Sequence, residues 1–304
     1  MESSSKKSHK ICFVCQHPDW KKTSDYEECL NCHHELLALP ATQTYMTNDI
    51  LDSSNFHQTN ALDSFKSKVL KRFMMNHSCL ADIGSGSGKF LFQNRHLFKD
   101  SIGVEVTPAC ITFSREHGLI ITERIDSINQ DISVATFWHS LEHMPIQTIL
   151  EIMASLSQKN GPALRVIISV PNNSSLLYLF AGKRFAYYDV PNHIHQFSKK
   201  SLTLLMKQFG FAETASLFSF AYSSFGYLQT LLNFFNPIHN YFYYRKKRGC
   251  TFNKASPFLI LFDGLNLLLI PFLLVPALIG SFFDLFFKQQ AGVITQCYKK
   301  TASI

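Results

Sequence analysis

The sequence predicts an α/β fold in which a parallel sheet is covered by helices on both faces. Three observations predict it. Short apolar runs alternate with amphipathic stretches between about residues 60 and 220. The first run breaks into a glycine loop, Gly84-Ser85-Gly86-Ser87-Gly88, that opens a helix. The next run, Ile102-Gly103-Val104, ends in an acid, Glu105. Strands shut in on both faces read as unbroken apolar runs, and strands that alternate with helices run parallel.

Taken in order, Ser64 to Met75 places Phe65, Val69, Leu70 and Phe73 against Lys66, Lys68, Lys71 and Arg72, the pattern of an amphipathic helix. Leu80 to Ile83 is the first strand, and the helix after the glycine loop runs through Phe90, Leu91 and Phe92. Glycines without a Cβ let the backbone approach a ligand, and the helix N-terminus adds free N–H donors. An acid at the tip of the following strand suits ribose hydroxyls. Thr107-Pro108-Ala109-Cys110 opens the next helix, with Pro108 in its first turn. Leu119 to Ile121, Val134 to Trp138 and Ala163 to Val170 are further strands, the last stopped by Pro171-Asn172-Asn173, and Ile146 to Leu156 is helical. A sixth strand is expected around Ala212 to Tyr222, and a last one at Gly292 to Tyr298.

Further motifs lie at the expected carboxyl ends of these strands: His139-Ser140-Leu141-Glu142-His143, Ser169-Val170-Pro171-Asn172, and Pro191-Asn192-His193 followed by Phe197-Ser198. A dinucleotide fingerprint places its third glycine at position 89, where this chain has Lys89. With Asp82 ahead of the glycine loop, the set resembles class I S-adenosylmethionine (SAM)-dependent methyltransferases. The nearest groups contain the ubiquinone-biosynthesis O-methyltransferases and the sugar methyltransferases. The resemblance covers roughly residues 60 to 220. It implies a Rossmann-like methyltransferase sheet and SAM as cofactor, held by Asp82, Gly84, Ser85, Gly86, Gly88 and Glu105, with Asp126 beside the adenine. It also places His139, His143, His193 and His195 at the cofactor mouth as candidate general bases, His143 and His193 foremost. Glu142 would orient His143 or cap the next helix, and Tyr187, Tyr188 and Asp189 would line the acceptor pocket. The quinone enzymes carry Glu-x-x-Glu-His where this chain has His139-x-x-Glu142-His143, so no metal is assigned to that cluster.

Ahead of this domain stand Cys12-Phe13-Val14-Cys15 and Cys29-Leu30-Asn31-Cys32. Two such turns can close a tetrahedral four-thiolate zinc site and order a segment too small for its own core. Such a site leaves no open position for substrate, so the zinc is structural. Zinc ribbons precede the catalytic domain in some sugar methyltransferases, and the arrangement resembles theirs. Charges of both signs between the pairs (Lys21, Lys22, Asp25, Glu27, Glu28) make nucleic acid an unfavoured partner. The other cysteines, Cys79, Cys110, Cys250 and Cys297, are scattered and form no disulfide framework. No apolar stretch follows Lys6 and Lys7, so no secretory signal is read and a cytoplasmic protein is expected.

Charged residues make up only 17% of the chain and phenylalanine numbers 28, which points to surface not meant for water. The net charge of +7 gathers in Lys6, Lys7 and Lys10 and in Arg245-Lys246-Lys247-Arg248. Gly264 to Phe283 carries no charge. A single crossing conflicts with a last strand that must rejoin the sheet. The expectation is therefore a helical hairpin, broken near Pro271 or Pro276, dipping into one leaflet of an anionic membrane, with Arg245 to Arg248 at the headgroups. The alternative is a subunit interface in a homo-oligomer. The expected organisation is a zinc ribbon with a basic start in 1–40, the SAM-binding domain in 41–222, the apolar insertion in 223–291 and the last strand in 292–304. The functional reading is O-methylation of a lipid-linked sugar or similar acceptor at the inner face of the cytoplasmic membrane. A quinone-type phenol, a small-molecule acceptor and a non-catalytic zinc-ribbon membrane adaptor are the alternatives.

Overall fold

The computed structural model describes residues 11–38, 56–159, 163–248 and 257–301. The basic start at Lys6, Lys7 and Lys10, the boundary near residue 41 and Cys250 lie outside them, as do the side chains of Lys246, Lys247 and Arg248.

β1 (Trp20–Lys22), β2 (Tyr26–Cys29) and β3 (Glu35–Leu37) form an antiparallel unit beside the two Cys-x-x-Cys turns. After it come α1 (Ala61–Phe73), β4 (Cys79–Ile83), α2 (Lys89–Asn94), β5 (Asp100–Val104), α3 (Pro108–Glu116), β6 (Ile120–Thr122) and β7 (Ile132–Trp138). The chain continues through α4 (Ile146–Lys159), β8 (Arg165–Pro171), α5 (Leu176–Ala181), β9 (His195–Gln196), α6 (Lys199–Gln208) and β10 (Phe211–Leu217). Last come α7 (Phe220–Asn233), α8 (Tyr241–Arg248), α9 (Pro257–Phe286) and β11 (Val293–Lys300).

A seven-stranded sheet has the order β10-β11-β8-β7-β4-β5-β6. β4 pairs in parallel with β5 on one side and β7 on the other, whereas β11 runs antiparallel to both β8 and β10. The strand order turns in opposite directions on the two sides of β4, and the crevice above such a switch point is where open α/β sheets bind ligands. Leu80, Ile83, Phe137 and Ile168 are fully buried between the helical layers. β9 pairs with β3, so the N-terminal strands and the catalytic domain share a second sheet of order β1-β2-β3-β9.

Two boundaries differ from the sequence pattern because capping residues override periodicity. α1 starts earlier, where Asn60 and Asp63 form a reciprocal capping box. β10 stops at Leu217, and Ser219 caps α7 through the Tyr222 amide, so Phe220 and Tyr222 are helical rather than the end of a strand.

The hairpin expected at Pro271 or Pro276 is not formed. α9 is one helix of 30 residues with both prolines inside it, about 45 Å at 1.5 Å per residue. Each proline removes one N–H from the ladder. The helix nevertheless continues, because polar anchors at both ends lie on the same side. Near its start, Tyr241 Oη donates to Asp263 at 2.8 Å and Asn266 exchanges hydrogen bonds with Asn236 at 2.9 and 3.0 Å. Near its end, Asp284 accepts from Ser223 and Tyr227 of α7 at 2.8 and 3.2 Å. α7 and α9 therefore run antiparallel. A Cβ at Gly280 would sit 2.4 Å from the Tyr227 ring, so only glycine admits this approach. Arg245, expected at lipid headgroups, is instead paired with Asp263 at 2.7 Å.

Candidate functional site

The glycine loop lies over the switch point. Gly84, Gly86 and Gly88 all have positive φ, and a Cβ at Gly84 would fall 2.4 Å from Ser140 Cβ, so the loop rests on the residue after His139. Glu105 Oε2 accepts from the Gly86 amide at 2.8 Å, and its Oε1 accepts from the Val106 and Thr107 amides at 2.8 and 2.9 Å. A carboxylate offers about four lone-pair directions, so three backbone donors leave one on Oε2 for a ribose hydroxyl. Ser85 Oγ and Trp138 Nε1 are buried with no partner, as expected where a polar ligand completes the site. These features fit SAM.

Asp82 is buried in β4, and burial pushes its carboxyl up to about 6 against the Thr136 hydrogen bond and the Lys66 charge. Thr136 Oγ1 donates to it at 2.6 Å. Burial also lowers the Lys66 ammonium, and its Nζ lies 5.5 Å from the centre of the Trp138 ring. The sequence pattern had put Lys66 on the wet face of α1. The signal was present all the same: Lys66 stands three, four and seven residues before Val69, Leu70 and Phe73, inside the apolar stripe. Lys89, where a dinucleotide site has glycine, pairs with Asp63 of α1 at 2.8 Å and ties α2 to that helix. Asp126, the expected adenine neighbour, accepts from Ser155 of α4 at 2.7 Å and pairs with Arg124 at 3.4 Å, with its side chain half exposed.

Opposite the loop, His139 leaves β7 with φ of 55°, a conformation a histidine holds only where its surroundings enforce it. Its Nδ1 is 3.2 Å from Glu142 Oε1. Burial pushes the Glu142 carboxyl up, but the His139 hydrogen bond and the charges of His139, His143 and His193 outweigh it and hold it at about 2. An ionised carboxylate can only accept, so Nδ1 carries a proton towards Glu142, and in the neutral ring this tautomer leaves the lone pair on Nε2. That Nε2 is buried and has no partner. The ring stacks on Tyr187 at 6.0 Å and meets Tyr222 of α7 at 5.0 Å. Tyr222, near the start of α7, was not among the residues expected at the site.

The other histidines are placed differently. His143 Nδ1 donates to Asn192 O at 2.9 Å. Burial lowers His193 to about 4, with the neighbouring His143 adding to the effect, so its ring is neutral near pH 7. Its Nδ1 lacks a partner, and Glu142, His143 and His193 offer atoms within 4.8 Å of one another, close enough to hold a cation. Both ring nitrogens of His195 are engaged, with His34 Nε2 at 3.2 Å and Met144 O at 2.9 Å. Tyr188, expected in the acceptor pocket, turns to the N-terminal unit and donates to Asp25 at 2.7 Å.

In that unit, Cys12 Sγ and Cys32 Sγ are 3.7 Å apart, Cys15 and Cys29 3.5 Å, and all four sulfurs lie within 4.8 Å of one another. A disulfide needs about 2.05 Å. Tetrahedral zinc with bonds of about 2.3 Å sets sulfurs about 3.8 Å apart, which these spacings fit.

Residues 57–216, just over half of the chain, match the family described as Methyltransferase domain. A search of curated protein sequences finds no match. Among solved structures, the [4+2]-cyclase SpnF is similar at 12% identity and a TM-score of 0.50, over 79% of this chain and 81% of that one. A SAM-dependent methyltransferase from Archaeoglobus fulgidus is similar at 17% identity and a TM-score of 0.45, over 78% and 94%. The cyclopropane synthase MmaA2 from Mycobacterium tuberculosis is similar at 10% and 0.48, over 78% and 82%. At such identities the likeness concerns the fold alone. The family match spans the glycine loop, Glu105 and the His139–Glu142 pair, and on it the chain belongs to the methyltransferase-domain family, as a SAM-dependent methyltransferase.

Proposed function

We propose that this methyltransferase methylates a hydroxyl of a lipid-borne acceptor, a sugar of a lipid-linked glycan foremost, while lying on a membrane face. One observation carries the reading: α7 touches the site with one side and bears α9 with another. Tyr222 of α7 packs on His139, and Ser223 and Tyr227 of the same helix hold Asp284. α9 is the one helix among the described residues long and apolar enough to cross a membrane. Both of its ends are nevertheless tied to the body, the first through Tyr241 and Asn236, the second through β11. It therefore lies along the surface, and its outer face, including Leu267, Leu268 and Phe272, suits the acyl boundary of one leaflet. Phe180 and Phe234, whose rings are 5.7 Å apart, extend that face, with Arg184 over Phe234 at its rim.

When bound, SAM supplies a methyl group already activated on a sulfonium. The chain's residues then align the acceptor and manage its proton. His139 Nε2 takes the hydroxyl proton as the oxygen attacks, Glu142 holds the Nδ1 proton and stabilises the imidazolium, and Nε2 later releases its proton to water. Such base catalysis contributes about 100- to 10,000-fold.

The test is transfer of tritiated methyl from SAM to membrane vesicles. Label is expected in solvent-extractable lipid, and His139→Ala should lower the rate by about 100-fold or more while calorimetric SAM affinity stays unchanged. Label confined to water-soluble product refutes the lipid acceptor, and a fully active His139→Ala refutes the base.

A further inference from the structure

We infer that the four-cysteine unit is a positioning element of the acceptor side of the active site: its metal fixes the backbone of Asn192 to Gln196, and with it His193 and His143. This rests on the reading of Cys12, Cys15, Cys29 and Cys32 as a zinc site, which metal analysis tests separately.

The segment from Asn192 to Gln196 is gripped from two sides. On the cysteine side, Tyr26, fully buried in β2 and three residues before Cys29, donates its hydroxyl to His193 O at 3.0 Å and accepts from Gln196 Nε2 at 3.2 Å. β3, which follows Cys32, pairs Glu35 with Gln196 and Leu36 with His195, and the Leu37 amide donates to Ile194 O at 2.9 Å. His34 meets His195 at 3.2 Å, and Ser198 Oγ donates to the carbonyl of Cys32 itself at 2.8 Å. On the catalytic side, the Ile194 amide donates to Glu142 O at 2.8 Å and His143 Nδ1 to Asn192 O at 2.9 Å. The segment thus carries position from the thiolates to the Glu142 cluster.

The strands making this grip are too short to hold themselves. β1 to β3 have three or four residues each and β9 has two. Short hairpins are marginal in water without a packed partner or a metal, and a structural metal supplies folding free energy. The glycine loop, by contrast, hangs from the centre of a seven-stranded sheet to which β1 to β3 add no strand, although the cysteines pack into the same core. Metal loss should therefore loosen one wall of the site and spare the other.

The experiment is hydrogen exchange by mass spectrometry on the full chain, as purified, after chelation and after zinc is restored, with SAM calorimetry and metal analysis on the same samples. Chelation is expected to speed exchange in 189–197 by about ten-fold, to leave 82–88 and SAM affinity within about three-fold, and to be reversed by zinc. Tyr26→Phe cuts the link to His193 but leaves the thiolates. It should keep one zinc per chain and full SAM affinity, yet speed exchange around 193–196 several-fold. Unchanged exchange in 189–197 in both samples overturns the proposal. So does equal loosening of the glycine loop on chelation, which would make the unit a general staple. A protein purified without zinc refutes the metal reading itself, while Tyr26→Phe still reports whether the unit positions the loop.

Discussion

In β4 the side chains follow the rule for water: Leu80 and Ala81 are fully buried, and the single acid, Asp82, is hydrogen-bonded inside. In α9 the rule is reversed. Leu267, Leu268 and Phe272 are 70% or more exposed, while Asn266, Ser281 and Asp284 are buried and bonded. A helix that turns its amides and carboxylates inward and its leucines outward leaves an exposed apolar face, the kind of surface that marks a protein or membrane contact. The strands of the sheet are covered by their own chain, whereas the outer face of α9 is not covered by the described residues.

Matched truncations in the two regions would break this contrast or secure it. Leu80→Ala should cost about 2–5 kcal/mol in denaturant unfolding, because it leaves a cavity between packed layers. Leu268→Ala, the same chemistry on the outer face of α9, should cost less than about 0.5 kcal/mol. Equal losses would mean that α9 is covered within the folded chain and that its exposure is not real.

The second effect is smaller and tests the proposed membrane face. Phe272, 76% exposed, should enter the acyl boundary, so Phe272→Ser should weaken co-flotation with anionic vesicles by about ten-fold or more, the equivalent of part of a phenylalanine burial of about 1.5–3 kcal/mol. Unfolding stability in solution should not change. If wild type stays off vesicles and light scattering gives a dimer that Phe272→Ser splits, the outer face is a subunit interface and the lipid-acceptor reading falls.

What the sequence revealed followed the same division. The strands, the glycine loop and Glu105 were legible because each rests on a local pattern, and the sheet assembles from those patterns directly. The His139–Glu142 pair was visible only as a motif. Its geometry depends on a positive φ at His139 and on Tyr222, which arrives from a helix more than eighty residues later. The course of α9 was misread from its prolines, although its polar residues carried the answer. Asp263, Asn266, Ser281 and Asp284 keep helical spacing straight through Pro271 and Pro276, which a chain reversal would have broken. Lys66 teaches the same lesson on a smaller scale: a charge inside an apolar stripe is carried inward, here to where burial lowers the ammonium and the Asp82 charge partly offsets it.

The smallest effect concerns the joint between the two regions. Burial pushes the Asp284 carboxyl up to about 6, opposed by the Ser223 and Tyr227 hydroxyls. A folded-state value above the unfolded one means that the protonated form is favoured by folding. This contribution is fully present below about pH 4, the unfolded carboxylate range, and is lost as pH rises through 6. The α7–α9 contact should therefore be tighter at pH 4.5 than at pH 8, read as slower exchange of the α9 amides after correction for intrinsic rates. Asp284→Asn removes the charge but keeps the shape and one acceptor for the two hydroxyls. It should stabilise the contact by about 1 kcal/mol at pH 8 and leave it nearly unchanged at pH 4.5. A variant that loosens α9 equally at both values would show that Asp284 is held by its hydrogen bonds alone, and that the inward polar face of α9 costs nothing to keep charged.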